Sequence, residues 1–283
     1  SPRSVLIGDR RVGLLQRFAV EEETSACAPA PVQSVKVLAD ANAVGASIRD
    51  IVRKAATQAI AERGSFAIAI PGGSILKMLV GTGGETDQEW TTKTTLAYVN
   101  HKCVAMDDGD LATHAKATNL FLGDWVGCNS IVMDGTDDGP AEAANYEQQI
   151  KALSDDVLPR DESGLPIFDL ALIGVGDDGH IGSLYPGRDE VLVDASGPWV
   201  LPVEMKQPPS ITLSLPVMAS AKQVVVAACG VSDKYPQGKS EGMRRAIVDE
   251  TESLSTFPAV GLRPVATWIM DEAAASKLGS SYN

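Results

Sequence analysis

The stretch that decides the fold is FDLALIGVGDDGHIGSLYPG, residues 168–187. An apolar run from Leu170 to Ile173 leads directly into a loop that holds three glycines, two aspartates and His180. A short apolar run bounded by glycines predicts a buried strand. Because ligands of α/β sheets bind beyond the carboxyl ends of the strands, we expect this loop to lie at a binding edge.

The same change from apolar strand to loop or helix recurs on both sides of this stretch. Further strands are predicted at SVKVLAD (34–40), SFAIAIPGGS (65–74), TTLAYVNHKCV (94–104), ASAKQVVVAACG (219–230) and the start of VATWIMDEAAASKL (265–278). Helices are predicted over residues 41–64, 111–126, 140–153 and 241–248 and at the end of the last segment. Strands that alternate with helices predict a doubly wound, mainly parallel sheet inside a three-layer α/β/α sandwich, a modified Rossmann-like fold.

The first 33 residues differ from the rest. VGLLQRF (12–18) is followed by the acid-, alanine- and proline-rich VEEETSACAPAPVQ (20–33), which is typical of a linker. We therefore predict an arm over 1–33 and one α/β domain over 34–283. The chain starts at Ser1 without methionine, which is consistent with a trimmed chain or with a mature end left by removal of an organelle-targeting peptide. A plastid or another organelle is then one expected location, and the cytoplasm is the other.

Composition limits the partners. The 283 residues carry a formal charge of −13, so no general basic field attracts nucleic acid or an anionic membrane surface. Small anionic substrates would need locally placed cations. The apolar runs fall short of the roughly 20 residues of a membrane-spanning helix. The four cysteines are widely spaced, which predicts reduced thiols rather than a disulfide framework or a CxxC site.

Two glycine-rich loops follow predicted strands. Gly72 and Gly73 allow close approach of a ligand to the backbone, and the start of a helix after them favours an anion, although an ordinary strand-to-helix turn is an equally good explanation. His180 is better placed for proton transfer, because imidazole has an ordinary pKa near 6.5. His101 and His114 lack such a setting, and we interpret both as surface or structural residues.

The segment 168–187 resembles the signature of the 6-phosphogluconolactonases, in which Gly-x-Gly-x-Asp-Gly-His leads into Ser-Leu-Phe-Pro-Gly. AIPGGS, SITLSLPVMASAKQVVVAACG and FPAVGLRPVATWIMDEAAASKL are also similar to segments of that family, so the resemblance covers roughly residues 35–280. The related glucosamine-6-phosphate isomerases and deaminases continue toward Phe-Asn-Glu-Pro after the histidine loop. Here the continuation is SLYPG (183–187), which favours the lactonase branch.

The resemblance implies that His180 activates a water molecule to attack the carbonyl of 6-phosphogluconolactone, which gives 6-phosphogluconate in the oxidative pentose phosphate pathway. The phosphorylated sugar lactone is thus the expected partner, and neither a cofactor nor a metal is expected. The resemblance also implies a set of binding residues, in which Lys239 competes with Lys234 for the role of a second lysine. The set is Gly72, Gly73, Ser74, Lys102, Asp178, Gly179 and Lys234.

The chain differs from the family's residue pattern at several positions of the expected active site. The family's Asp-Glu-Arg is Asn100-His101-Lys102, its Asp-Ser-Asn is Asp110-Leu111-Ala112, and the arginine that opens an Arg-Ile-Thr strand is Ser210. The Thr-Pro after Gly-Gly-Ser is Ile75-Leu76. Each lost charge-assisted contact typically costs a few kcal/mol.

These departures keep two alternatives open. One is a catalytically impaired homologue that acts as a structural or binding subunit, with VGLLQRF in the 1–33 arm docking a protein partner. The other is a sugar-phosphate isomerase or deaminase, which the SLYPG continuation disfavours.

Overall fold

The computed structural model describes residues 30–83, 89–231 and 238–282. Within these ranges ten strands are numbered in chain order. They are β1 Ser34–Leu38, β2 Phe66–Ile70, β3 Thr94–Tyr98, β4 Asn100–Lys102, β5 Asn129–Ser130, β6 Leu170–Ile173, β7 Val200–Val203, β8 Ser210–Leu213, β9 Gln223–Ala228 and β10 Ala266–Asp271.

Eight α-helices connect or flank these strands in the described parts of the chain. They are α1 Ala41–Arg63, α2 Ser74–Met78, α3 Glu89–Thr92, α4 Thr113–Leu120, α5 Gly139–Ala152, α6 Leu215–Ala219, α7 Ser240–Ile247 and α8 Glu272–Ala275. Short 3-10 helices lie at Leu122–Asp124, Asp189–Leu192, Pro258–Leu262 and Ser280–Tyr282.

The main sheet has seven strands in the order β1-β10-β9-β6-β2-β3-β5, and every pair is parallel. The residues of β2, β3 and β6 are all buried, because helices cover both faces of a parallel sheet. The predicted fold class, a doubly wound α/β sandwich, is confirmed.

Helix α1 shows how the sequence specifies one of the covering elements. The Asp40 side chain accepts a hydrogen bond from the Ala43 N–H at 2.8 Å, which caps the start of the helix. Gly64 ends it with a φ of +83°, as the glycine at that position predicts. Val44, Ile48 and Val52 are spaced by four residues and form the buried stripe against the sheet.

The centre of the sheet contains the switch in strand order that positions the site. From β2 the chain continues to β3 on one side, whereas from β6 it continues to β9 on the other. Strands β2 and β6 are neighbours, with Ile68 paired to Leu170 and Ala69 to Ala171. The loops that follow these two strands therefore leave the sheet side by side, where ligands of such folds bind.

The prediction of one strand over 94–104 is wrong, because the chain changes sheets within it. The Val99 N–H donates to the Ile70 carbonyl of the main sheet, while the Val99 carbonyl accepts from the Leu213 N–H. Residues after Val99 form β4 in a second, antiparallel sheet of order β4-β8-β7, which the sequence pattern did not predict.

The helix predicted over 111–126 is shorter than expected. Helix α4 ends at Leu120, and Phe121 leaves the helical conformation with a φ of −154° before the 3-10 helix at 122–124. In the described ranges no helix is long and apolar enough to cross a membrane. The boundary between the 1–33 arm and the domain stays a prediction, since residues 1–29 lie outside the described residues.

Candidate active site

The loop after β6 holds His180 in a tight turn. The Gly179 N–H donates to the Gly176 carbonyl at 3.0 Å, and the Gly176 N–H donates to the His180 carbonyl at 2.9 Å. Val175 also forms an antiparallel bridge with Ile181, which closes the turn at its base. His180 is thus fixed at the carboxyl end of a central strand, with its side chain 24% exposed.

Asp178 orients the imidazole of His180. Its Oδ1 lies 2.6 Å from His180 Nδ1 and accepts the His180 backbone N–H at 3.1 Å. Partial burial raises the pKa of Asp178, but the hydrogen bonds from His180 lower it further, so this carboxyl has a pKa below its usual value. An ionised carboxylate can only accept, so Nδ1 carries the proton and Nε2 is the basic nitrogen of the neutral ring.

Two glycines of this loop have no room for a side chain. Gly179 has a φ of +85°, and a β-carbon there would lie 2.4–2.5 Å from the ring carbons of the fully buried Phe257. A β-carbon at Gly176 would lie 2.0 Å from His180 Nδ1. The close approach of backbone to these rings is what requires glycine at both positions.

An aromatic ring and a lysine extend the site away from His180. The Tyr185 ring lies 4.7 Å from the His180 ring, tilted by 33°. Lys206 Nζ lies 4.0 Å from the centroid of the same Tyr185 ring, a cation–π contact. Lys206 belongs to the β7–β8 connection, far from residues 168–187 in sequence, and no local signal in the sequence identified it.

The second sheet contacts the histidine loop through polar side chains. Asn100 Nδ2 donates to Ser183 Oγ at 3.1 Å, and the Ser183 N–H donates to Thr212 Oγ1 at the same distance. Gly182 has a φ of +58°, and a β-carbon there would lie 2.6 Å from Thr212 Oγ1. Asn100, which stands where the family has a carboxylate, is therefore bonded to the segment that follows His180. Sequence reasoning did not identify Thr212.

The Gly-Gly-Ser loop lies beside the histidine loop. Gly73 has a φ of +78° and immediately precedes the five-residue helix α2. A β-carbon on Gly174 would touch Ile75 at 3.8 Å, and one on Gly72 would lie 3.1 Å from Thr113 Oγ1. The structure thus brings Gly72, Gly73 and Ser74 next to the start of the histidine loop, and both Gly73 and Ser74 are exposed.

Two of the three predicted lysines, Lys102 and Lys239, lie among the described residues. Lys102 is exposed at the end of β4, with its Cα paired to Ser210 of β8. Lys239 Nζ donates to the Val175 carbonyl, at the start of the histidine loop. Lys234 lies outside the described residues, so its role stays a prediction.

The two remaining histidines hold α4 in place. His101 is 2% exposed; its Nδ1 lies 2.7 Å from the Lys102 carbonyl, and its Nε2 accepts the His114 N–H at 3.0 Å. Burial lowers the pKa of His101 to about 4, so the ring is neutral at pH 7. His114 Nδ1 lies 2.8 Å from the Tyr98 hydroxyl. The His101 side chain therefore caps the start of α4, and the His114 side chain packs against Tyr98.

A separate cavity of about 270 Å³ opens at the other end of the sheet. It is lined by side chains of α1 and by residues at the starts of β6 and β9. Its charged lining residues are paired: Lys222 contacts Glu62 and Asp169, and Asp169 also contacts Arg63 beside the cavity. Within the described ranges, no group of three or more His, Cys, Asp or Glu side chains could hold a metal ion.

The chain is similar to known proteins in both sequence and fold. The family of glucosamine-6-phosphate isomerases/6-phosphogluconolactonase matches residues 39–269. The chain is 30% identical over 273 residues to a 6-phosphogluconolactonase of Rattus norvegicus, covering 90% of this chain and 97% of that protein.

A second sequence relative and one solved structure are also similar. The chain is 30% identical over 232 residues to the chloroplastic 6-phosphogluconolactonase 3 of Arabidopsis thaliana, covering 77% of this chain and 66% of that protein. The crystal structure of a 6-phosphogluconolactonase from Leishmania guyanensis has the same fold, with a TM-score of 0.71 at 21% identity, covering 89% of this chain and 100% of that one. The chain belongs to the glucosamine-6-phosphate isomerase/6-phosphogluconolactonase family.

Proposed function

We propose that this protein hydrolyses 6-phosphogluconolactone to 6-phosphogluconate, a reaction of the oxidative pentose phosphate pathway. The observation that carries the proposal is the His180–Asp178 pair, held by glycine turns at the switch point of the sheet. The names of the relatives in rat and in Arabidopsis support the same substrate.

His180 acts as the general base. Nε2 takes a proton from a water molecule as the water oxygen bonds to the lactone carbonyl carbon, which gives a tetrahedral intermediate with a negative oxygen. The carbonyl then re-forms, the bond from carbon to the ring oxygen breaks, and the imidazolium returns its proton to the departing oxygen. The products are a carboxylic acid, which ionises, and a free hydroxyl group on the opened chain.

Asp178 has two effects in this mechanism. Its bond to Nδ1 keeps the proton on that nitrogen, so that Nε2 carries the lone pair. Its negative charge also stabilises the imidazolium that forms during the attack. Replacement of Asp178 by asparagine removes this negative charge, so the imidazolium of His180 is stabilised less.

The remaining assignments follow from the resemblance and are part of the proposal. Gly72, Gly73 and Ser74 line the sugar-phosphate site, and Gly179 shapes the histidine loop. Lys102 and Lys234 supply positive charge for the phosphate. Asn100 bonds Ser183, so it orders the loop rather than acting as a base.

The proposal is tested by the rate of 6-phosphogluconolactone hydrolysis with purified protein, measured against the spontaneous rate in the same buffer. We expect a rate proportional to protein concentration and far above the spontaneous one. A rate equal to the buffer control would overturn the proposal and favour the impaired homologue. Ammonia release from glucosamine 6-phosphate in a parallel assay would instead favour the deaminase branch.

A further inference from the structure

The phosphate of the proposed substrate needs a cation near His180, and the chain as a whole repels it. The formal charge is −13. Ser210 stands where the resemblance implies an arginine, so the β8 strand supplies no charge at that position. A lysine elsewhere on the same edge could restore the missing contact.

Lys206 is a cation close to His180. Its Nζ is 4.0 Å from the Tyr185 ring centroid, and that centroid is 4.7 Å from the His180 ring. These distances are two sides of one triangle, so Nζ lies no more than about 9 Å from the centre of the His180 ring. Only a few covalent bonds separate the carbonyl carbon of the lactone from its phosphorus atom. One substrate molecule can therefore place its carbonyl at His180 and its phosphate at Lys206.

The second sheet brings this lysine to the same end as Lys102. Ser210 pairs with Lys102 of β4 on one side and with Val203 of β7 on the other. The connection that carries Lys206 begins directly after Val203. The backbone thus places two lysines around Ser210, the position of the absent arginine.

Three other cations of the described residues near the histidine loop are already engaged. Lys239 donates to the Val175 carbonyl, Arg188 pairs with Glu190, and Arg245 pairs with Glu252. No carboxylate of the described residues forms a salt bridge with Lys206; the Glu204 side chain instead lies near Gly139 at the start of α5. Lys206 is exposed, so its ammonium is accessible to a substrate.

We propose that Lys206, held over the Tyr185 ring, binds the phosphate group of the lactone and so replaces the arginine that is absent at position 210. This inference rests on the proposed function. The cation–π contact limits the positions of a flexible side chain before substrate arrives, and less ordering is then required on binding. Lys206 is a binding residue with no part in proton transfer.

The test compares Lys206→Met with Lys206→Arg and with Lys54→Met, a matched loss of one charge on the exposed outer face of α1. Each variant is assayed with 6-phosphogluconolactone and with unphosphorylated glucono-δ-lactone. We expect Lys206→Met to raise KM for the phosphorylated lactone by about ten- to a hundredfold, the effect of one charged hydrogen bond. KM for the unphosphorylated lactone should not change, Lys206→Arg should retain most of the affinity, and Lys54→Met should behave as wild type.

A binding measurement separates this inference from the proposed function. Calorimetric titration with 6-phosphogluconate and with gluconate reports the phosphate contact whether or not the protein turns over. Weaker binding of 6-phosphogluconate to Lys206→Met, with wild-type affinity in Lys54→Met, supports the inference even if hydrolysis is absent. Equal affinity for 6-phosphogluconate in wild type and Lys206→Met, or equal loss for both lactones, overturns it.

Discussion

The packing of Gly179 against Phe257 gives a quantitative prediction for Gly179→Ala. A non-glycine residue at a φ of +85° costs roughly 1–2 kcal/mol. The new β-carbon would also lie 2.4–2.5 Å from three ring carbons, well inside the roughly 3.5–4.0 Å of a normal carbon contact. Such overpacking typically costs about 1–3 kcal/mol.

The ring has little room to move away. Phe257 is fully buried, its backbone N–H donates to the Ser253 carbonyl at 2.8 Å, and the Arg245 guanidinium lies 4.5 Å from its ring centroid. The Gly179 carbonyl also accepts the Ala259 N–H at 3.0 Å, which links the two segments. We therefore expect Gly179→Ala to lower the free energy of unfolding by about 2–5 kcal/mol.

Gly164→Ala is the matched control. Gly164 has a φ of +89°, and a β-carbon there would meet no atom within 4 Å, so only the backbone cost of about 1–2 kcal/mol applies. Urea unfolding of wild type and both variants at neutral pH gives the free energies. Equal losses in Gly179→Ala and Gly164→Ala would refute the packing argument, because the contact with Phe257 would then contribute nothing.

Three further predictions concern the histidines. In Gly176→Ala the new β-carbon would lie 2.0 Å from His180 Nδ1, so the imidazole must shift and we expect hydrolysis to fall at least tenfold. The clash is with a partly exposed side chain, and Gly176 does not have a left-handed φ, so urea unfolding should change by less than about 1 kcal/mol; unchanged activity would show that the ring adapts. Asp178→Asn should lower kcat by about 10²–10⁴ and the neighbouring Asp177→Asn by far less, and equal kinetics of the two variants would contradict the orienting role. His101 has a pKa of about 4 in the folded state, so its stabilising contribution is present above pH 6.5 and is lost as the pH falls toward 4. Between pH 7 and pH 5 this lowers the free energy of unfolding of the wild type by about 2 kcal/mol. In His101→Gln the decrease over the same interval should be smaller than in the wild type by about that amount.

The sequence predicted those parts of the fold that depend on local pattern. The buried strand 170–173, the capped helix 41–63 and the glycine turn before His180 each carry their signal within a few residues. The prediction that the loop after β6 lies at a ligand-binding edge of the sheet agrees with the switch of strand order between β2 and β6. In these cases hydrophobic period, capping residue and turn residue indicate the same structure.

The features that were missed depend on contacts between distant segments. The apolar run 94–104 reads as one strand, and only the hydrogen bonds of Val99 to two different sheets divide it. The contact between Lys206 and Tyr185 joins residues of different connections, as does the bond from Ser183 to Thr212. Such contacts leave no periodic signal in the chain, so they could not be predicted from residue pattern.

The central claim is that His180 is the base for hydrolysis of the lactone. It is tested most directly by kcat of His180→Gln with 6-phosphogluconolactone, alongside a urea unfolding curve that shows the variant is folded. We expect a wild-type unfolding curve and a kcat about 10²–10⁴ lower than that of the wild type. A folded His180→Gln protein with the wild-type rate would contradict it.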